Sequence, residues 1–118
     1  MSDHKVFSML FSSVYPLLIA KAERKGRTKD EVHEVTAWLT GYSADQLEQL
    51  LMSSVTYGEF FKNAPQPNEA RHMIKGNICG VKIENIEDPL MREVRYLDKL
   101  VDELAKGKQM EKVLRKLP

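Results

Sequence analysis

The clearest pattern of hydrophobic positions along the chain lies between Asp88 and Gly107. Its apolar residues recur at alternating steps of four and three, the spacing of a stripe along one face of an α-helix: Leu90, Val94, Leu97, Val101 and Leu104. Asp88 suits the N-cap, Pro89 needs no N–H partner in a first turn, and Gly107 favours a left-handed end. The pattern therefore predicts a central helix over 88–107, whose stripe the rest of the chain must cover.

The segments before and after this helix carry helix signals of their own. Thr28, Ser43 and Thr56 each stand three positions before a Glu or Gln, and such a pair can form a capping box. Glycine or proline follows most of these segments and marks where a helix ends. Together with apolar residues at helical spacing, these signals predict further helices near residues 13–25, 28–40, 43–51, 56–64, 67–75 and 110–117.

Two short segments, residues 5–11 and residues 78–84, alternate apolar and polar positions as β-strands do. An isolated strand would leave its backbone groups unpaired, so we expect these two segments to pair as a two-stranded ribbon. In the second segment Cys79 shares a face with Val81 and Ile83, which predicts that it is a small buried hydrophobe. The predicted fold is mainly α, a small helical fold of about six or seven helices with this one ribbon.

Length, charge and cysteine count narrow the class of protein. A chain of 118 residues is the size of one domain, so we expect residues 1–118 to form a single compact unit. Its 18 basic and 17 acidic residues nearly cancel, so no global field directs it to nucleic acid or to an anionic membrane. A single cysteine excludes an internal disulfide and favours the cytoplasm.

Neither a membrane span nor a signal peptide is expected. No apolar run reaches the roughly 18 residues of a transmembrane helix. The apolar segment 6–20 is interrupted by Ser12, Ser13 and Pro16, and we interpret it as the first part of the core.

Several strings across the chain resemble a known bacterial family, domain of unknown function 2200. They are Val14–Pro16, Ala22–Lys29, Trp38–Tyr42, Ile74–Gly76, Cys79–Val81, Ile86–Met91 and Leu97–Lys108. The resemblance spans nearly the whole chain and implies a small, soluble, single-domain bacterial protein whose activity is not established. It brings no catalytic residues with it.

The candidate ligand-binding residues are Arg71, His72, Lys75 and Cys79, which lie close together in the sequence. A thiolate beside cationic groups is reactive, and His72 could act as its base, so an enzyme that uses Cys79 is one hypothesis. The burial expected for Cys79 argues against it. Because no complete catalytic motif is present, we favour a non-enzymatic binding or assembly domain.

Two basic stretches, residues 21–29 and residues 106–116, support nucleic-acid binding as an alternative. Each holds five basic residues against one acid, and cations grouped in this way can contact several phosphates. Neither stretch has interleaved aromatic residues for base stacking, so such binding would be independent of sequence. A solvated surface whose cations favour a helix C-terminus explains the same residues, and we favour that explanation over nucleic-acid binding. The candidate contacts of the first stretch are Lys21, Arg24, Lys25, Arg27 and Lys29.

We predict neither a metal nor a cofactor. His33 and Glu34 begin like the zinc motif HExxH, but Ala37 stands where the second histidine belongs, and His and Cys form no other cluster.

The central helix raises two further expectations. Its stripe follows a heptad pattern, so a homo-oligomer formed through helix 88–107 is a hypothesis about partners. Asp98, Asp102 and Glu103 fall on its solvent side, where we expect them to pair with basic residues one turn away.

Overall fold

The structure, a computed structural model, describes residues 5–117. The α-helices of this part of the chain are α1 (Phe11–Glu23), α2 (Lys29–Thr40), α3 (Ala44–Leu50), α4 (Tyr57–Lys62), α5 (Pro89–Ala105) and α6 (Met110–Val113). Short 3-10 helices cover Lys5–Ser8, Glu69–Met73 and Ile83–Asn85, and the strands are β1 (Asn77–Ile78) and β2 (Val81–Lys82). The prediction of a mainly helical fold with one two-stranded ribbon is confirmed.

Helix α5 is the centre of the fold, as its hydrophobic pattern predicts. It packs against α1, α2, α4, α6 and β1. The stripe residues are buried except Leu90, which is half-buried. At the N-terminus Asp88 Oδ1 accepts a hydrogen bond from the backbone N of Leu90 at 2.9 Å, and Gly107 has a φ of 89° just beyond the C-terminus. Asp88 therefore caps the N-terminus of α5, and Gly107 takes the left-handed conformation beyond its C-terminus, as the sequence predicts.

All three predicted capping boxes form. Thr28 Oγ1 accepts a hydrogen bond from the backbone N of Glu31 at 3.1 Å, and Glu31 Oε1 accepts one from the backbone N of Thr28 at 2.9 Å. Ser43 and Thr56 make the same reciprocal pairs at the starts of α3 and α4. Local sequence therefore sets where these three helices begin.

The ribbon forms, but its predicted pairing of residues 5–11 with residues 78–84 is wrong. Strands β1 and β2 are consecutive and antiparallel, with Ile78 opposite Val81. The segment Lys5–Ser8 is instead a 3-10 helix. A hairpin closes a far shorter loop than a pairing with the N-terminus would, and the smaller entropy loss favours it.

The N-terminal segment finds its backbone partners in the chain that precedes α4. Leu10 and Thr56 form an isolated antiparallel bridge. The backbone N of Phe11 donates to the carbonyl of Val55 at 2.9 Å, and the backbone N of Tyr57 donates to the carbonyl of Met9 at 2.8 Å. These bonds hold the start of α1 against the start of α4.

The turn of the hairpin consists of Cys79 and Gly80. Both have positive φ, 52° and 80°, as in the type I′ turns that two-residue hairpins prefer. Cys79 is exposed, so the prediction that it is buried on a strand is wrong. The strands are too short to include it, and the turn directs its side chain into solvent.

Two predicted helices are shorter than expected. The segment 67–75 holds only the 3-10 helix Glu69–Met73, and the segment 110–117 is helical only to Val113. The backbone is extended at Ile74 and at Leu114, the residues that directly follow these two helices. None of the helices described, α5 included, is long and apolar enough to cross a bilayer.

Aromatic side chains join α1 to α4 in the core. The Phe11 ring stacks on Phe60 with ring centroids 4.3 Å apart and on Tyr15 with centroids 4.7 Å apart. Tyr57 meets the edge of Phe61 at 5.0 Å. This cluster holds the first residue of α4 in place and thereby fixes one wall of the cavity described next.

Candidate binding site

A cavity of about 220 Å³ lies between the N-terminal 3-10 helix, α1, α4 and α5. We call it the Tyr57 cavity. Its apolar lining residues are Val6, Val14, Met91 and Val94, and its polar ones are Lys5, Tyr57, Arg95 and Asp98. Apolar walls with a few converging polar groups are typical of small-molecule sites.

Tyr57 is the first residue of α4 and is fully buried. Its hydroxyl has no hydrogen-bond partner among the described residues. Leaving a buried polar group unsatisfied costs about 1–3 kcal/mol, so natural structures seldom do so without a reason. Burial raises the pKa of Tyr57 well above its ordinary value, and the negative charge of Asp98 raises it further. The phenol is therefore neutral and can both donate and accept a hydrogen bond.

Arg95 and Asp98 form an ion pair on the cavity wall. Arg95 Nη1 donates to Asp98 Oδ2 at 3.0 Å, and both side chains are at least three-quarters buried. Burial raises the pKa of Asp98 above its ordinary value, while the Arg95 guanidinium opposes part of that rise. The expected pairing of Asp98 with a basic residue one turn away is confirmed, but its place beside a cavity was not predicted.

The Tyr57 cavity combines apolar walls with a few polar side chains. The valine and methionine side chains form its apolar walls, and Tyr57 lines it with its side chain fully buried. Lys5 adds a cation whose side chain has no partner among the described residues, whereas Arg95 and Asp98 largely neutralise each other. Among residues 5–117, neither a histidine nor a cysteine lines the cavity.

The structure brings together two of the four predicted ligand-binding residues. His72 and Lys75 line a second pocket, together with Arg92 and Tyr96. Arg71 is used elsewhere, because its Nε donates to both carboxylate oxygens of Glu93 at 3.0 and 3.1 Å. Cys79 lies in the hairpin turn and does not line that pocket.

The basic stretch 21–29 is partly neutralised. Lys21 pairs with Asp102 at 3.2 Å, and Lys29 pairs with Glu48 at 3.1 Å. Arg27 pairs with Glu31 and also donates to two backbone carbonyls. One is that of Leu104, in the last turn of α5, and the other is that of Lys108, just after the helix.

The two remaining basic residues of this stretch, Arg24 and Lys25, are exposed and have no partner in the described part of the chain. Three of the five candidate nucleic-acid contacts therefore have structural roles.

The basic stretch 106–116 shows the same division. Lys106 pairs with Asp102 at 3.0 Å, and Lys108 and Arg115 both pair with Glu103. Lys112 and Lys116 are exposed, without partners within residues 5–117.

His33 is a core residue of a buried polar network. Its Nε2 lies 2.7 Å from Glu48 Oε2, and its Nδ1 lies 2.7 Å from the Tyr15 hydroxyl. Within residues 5–117, His, Cys, Asp and Glu form no group that could hold a metal ion.

Comparisons with known proteins identify the family of the chain. The model of a family described as uncharacterized protein conserved in bacteria (DUF2200) matches residues 5–115. The crystal structure of uncharacterized protein SP1917 is 53% identical and superposes with a TM-score of 0.92, covering 96% of this chain and 93% of that one. No curated protein matches the chain. The chain therefore belongs to the DUF2200 family, as its sequence motifs indicate.

Proposed function

We propose that this protein is a non-enzymatic binding domain that takes a small molecule into the Tyr57 cavity. The unpartnered hydroxyl of Tyr57 carries the proposal. A phenylalanine at this position would keep the aromatic packing of α4 and avoid the cost of burying a free hydroxyl. A ligand that bonds the hydroxyl would account for the tyrosine.

The size and lining of the cavity define the class of ligand. A volume of about 220 Å³ has room for roughly seven groups of the size of a water molecule, which suits a small organic molecule. The ligand would place an apolar body against Val14 and Val94 and one polar group toward Tyr57. Lys5 favours a polar group that is neutral or anionic over one that is cationic.

Other functions have less support. An enzyme using Cys79 would need a base beside the thiol, and His72 lines a pocket that Cys79 does not. Nucleic-acid binding would rely on the cations of the two basic stretches that remain unpaired, such as Arg24 and Lys25. We include a cytoplasmic location in the proposal because the chain has a single, reduced cysteine, which is usual in that compartment.

Methyl NMR with three matched probes tests the proposal. Benzamide, benzoate and benzylamine share one apolar ring and differ in the charge of the polar group. We expect benzamide or benzoate, at millimolar concentration, to shift the methyl signals of Val14, Met91 and Val94, and benzylamine to shift them least. Probes that leave these three signals unchanged, or that mainly shift the signals of Ile74 and Ile83, would contradict the proposal.

A variant outside the cavity provides the control. Tyr42→Phe removes a half-buried hydroxyl that donates to the carbonyl of Phe60 at 2.8 Å, and Tyr42 does not line the cavity. Probe binding by this variant should match that of the wild type.

A further inference from the structure

We infer that the second pocket, which we call the Arg92 pocket, binds the phosphate group of a small molecule. It has a volume of about 200 Å³ and lies between the 3-10 helix Glu69–Met73, the segment that follows β2, and α5. Its potential donors are His72, Lys75, Arg92 and Tyr96. This inference does not depend on the function proposed for the Tyr57 cavity, which has a separate lining.

Arg92 is held in position before any ligand arrives. Its Nε donates to the carbonyl of Ile86 at 3.0 Å, and its Nη2 donates to the same carbonyl. A guanidinium fixed in this way loses little additional freedom on binding, and its planar fork suits phosphate oxygens. The Arg92 side chain also hydrogen-bonds with the Tyr96 side chain, which lines the same pocket.

Tyr96 adds a second ordered donor beside Arg92. Its side chain is nearly fully buried, and its hydroxyl lies 3.4 Å from His72 Nδ1. Burial raises the pKa of Tyr96, and the charge of Glu93 adds to the rise, so the hydroxyl keeps its proton and can donate. Helix α5 thus presents Arg92 and Tyr96 from successive turns to the same pocket.

The charge around the pocket favours an anion. Lys75 is exposed and makes no bond to another described residue, so its charge is available to a ligand. Glu84 is the acid that lines the pocket, and its carboxylate accepts a hydrogen bond from the backbone N of Gly76 at 3.0 Å. That bond and, to a smaller extent, the charges of Lys82 and Lys75 hold the pKa of Glu84 below its ordinary value. Among the described lining residues, the cations Lys75 and Arg92 therefore outnumber the acid Glu84.

The arrangement suits phosphate better than a carboxylate. The donors come from separate segments, the 3-10 helix, the chain after it, and α5, and so they approach from different directions. A tetrahedral dianion can accept bonds from all of them, whereas a planar carboxylate uses two oxygens in one plane. Ile74 and Ile83 line the same pocket and can contact the organic part of a phosphate monoester. The ligand is therefore free phosphate or a small phosphate monoester.

Titration with two probes at constant ionic strength tests this inference. Inorganic phosphate supplies the anionic group alone, and phenyl phosphate adds an apolar body. We expect both to shift the NMR signals of His72 and Tyr96. Tighter binding of phenyl phosphate would identify a monoester as the ligand, and equal binding would identify free phosphate. Unchanged signals with both probes would overturn the inference.

Two variants that each remove one positive charge distinguish a specific phosphate site from non-specific electrostatic attraction of the anion. Lys75→Ala should weaken probe binding about tenfold, because it removes a charge-assisted contact. Lys82→Ala removes an exposed cation of the neighbouring strand β2 that does not line the pocket, and it should change binding less than twofold. Equal weakening by the two variants would mean that only the local field attracts the probe. Both lysines are exposed, so neither substitution should prevent folding.

Discussion

The hydroxyl oxygen of Tyr15 lies 2.7 Å from Nδ1 of His33 in the core of the protein. The same hydroxyl lies 3.1 Å from Thr36 Oγ1, and His33 Nε2 lies 2.7 Å from a carboxylate oxygen of Glu48. This chain of polar groups joins α1, α2 and α3. Burial raises the pKa of Tyr15 strongly, and the hydrogen bond with Thr36 opposes the rise only in part, so the phenol stays neutral.

Removing the Tyr15 hydroxyl should destabilise the protein. Tyr15→Phe leaves His33 Nδ1 and Thr36 without that partner in a buried site, and we expect the free energy of unfolding to fall by about 1–3 kcal/mol. Urea unfolding measures the change. Tyr57→Phe is the matched control, because it removes an equally buried hydroxyl that has no partner among residues 5–117. We expect it to leave stability unchanged or to increase it slightly. Equal losses in the two variants would be inconsistent with this account.

Glu103 and Arg115 form a buried ion pair between α5 and the segment after α6. Arg115 Nη1 and Nη2 donate to the two carboxylate oxygens at 2.6 and 2.7 Å, and Glu103 is 6% exposed. The expectation that Glu103 lies on the solvent side of the helix is wrong, because the chain returns across that face after Gly107.

Breaking this pair from one side should be costly. Arg115→Met leaves the carboxylate buried with Lys108, at 3.6 Å, as its remaining ion-pair partner within residues 5–117, and we expect a loss of about 3 kcal/mol in the free energy of unfolding. Combining it with Glu103→Met should restore much of that loss, because no charge then remains buried. A double variant as unstable as the sum of the two single variants would show that the charges do not interact.

The stability of Asp98→Asn relative to the wild type should depend on pH. Burial raises the pKa of Asp98 above 3.8, so the folded state holds this proton more tightly than the unfolded state does. The contribution of Asp98 is then most favourable below its unfolded pKa and declines as pH rises through its folded pKa. The asparagine of Asp98→Asn does not ionise, so the variant lacks this pH-dependent loss of stability. Its free energy of unfolding relative to that of the wild type should therefore increase as pH rises from 3.8.

Glu31→Gln provides a control of opposite sign. The Arg27 side chain and the backbone N of Thr28 lower the pKa of Glu31, so its contribution is present above 4.5 and is lost as pH falls through the folded pKa. The advantage of the wild type over Glu31→Gln should shrink on acidification. Unfolding curves of the three proteins across this range measure both effects, and parallel pH profiles for the two variants would refute the assignment.

The hairpin turn should be improved by a residue that accepts a left-handed backbone. Cys79 has a φ of 52°, which costs a residue with an ordinary side chain about 1 kcal/mol, and Asn followed by Gly is the preferred pair for this turn. Cys79→Asn should therefore raise the free energy of unfolding by several tenths of a kcal/mol. Cys79→Ala, which keeps the same backbone penalty, should be close to neutral. If Cys79→Asn is no more stable than Cys79→Ala, the left-handed backbone of the turn does not limit stability, and the prediction is wrong.

The sequence predicts the parts of the fold that depend on neighbouring residues. The stripe of α5, the cap at Asp88 and the boxes at Thr28, Ser43 and Thr56 all involve groups within a few positions of each other. The pairing of residues 5–11 depended on a distant partner, and alternation does not say which segment that partner is. The backbone of this segment bonds to the chain before α4 instead, a choice that only the packing of the helices determines.

The Tyr57 cavity could not be found in the same way. Tyr57 looks like one more aromatic residue of a core helix, and its spacing does not reveal whether the hydroxyl has a partner. That depends on what α1 and α5 bring to the same point. The three-residue spacing of Arg95 and Asp98 predicts that they pair, but the same spacing is common on solvent-exposed helix faces and does not indicate a cavity. His72 and Lys75 were identified as candidates because they cluster in sequence, whereas Arg92 and Tyr96 reach them only through the fold.

The affinity of benzamide or benzoate, whichever binds more tightly, for the wild type and for Tyr57→Phe is the most direct test of the proposed function. Methyl NMR titration of Val14 and Val94 gives both dissociation constants. If the hydroxyl contacts the ligand, Tyr57→Phe should bind about tenfold more weakly while remaining at least as stable as the wild type. Equal affinity of the two proteins would contradict the proposal that Tyr57 is kept for binding.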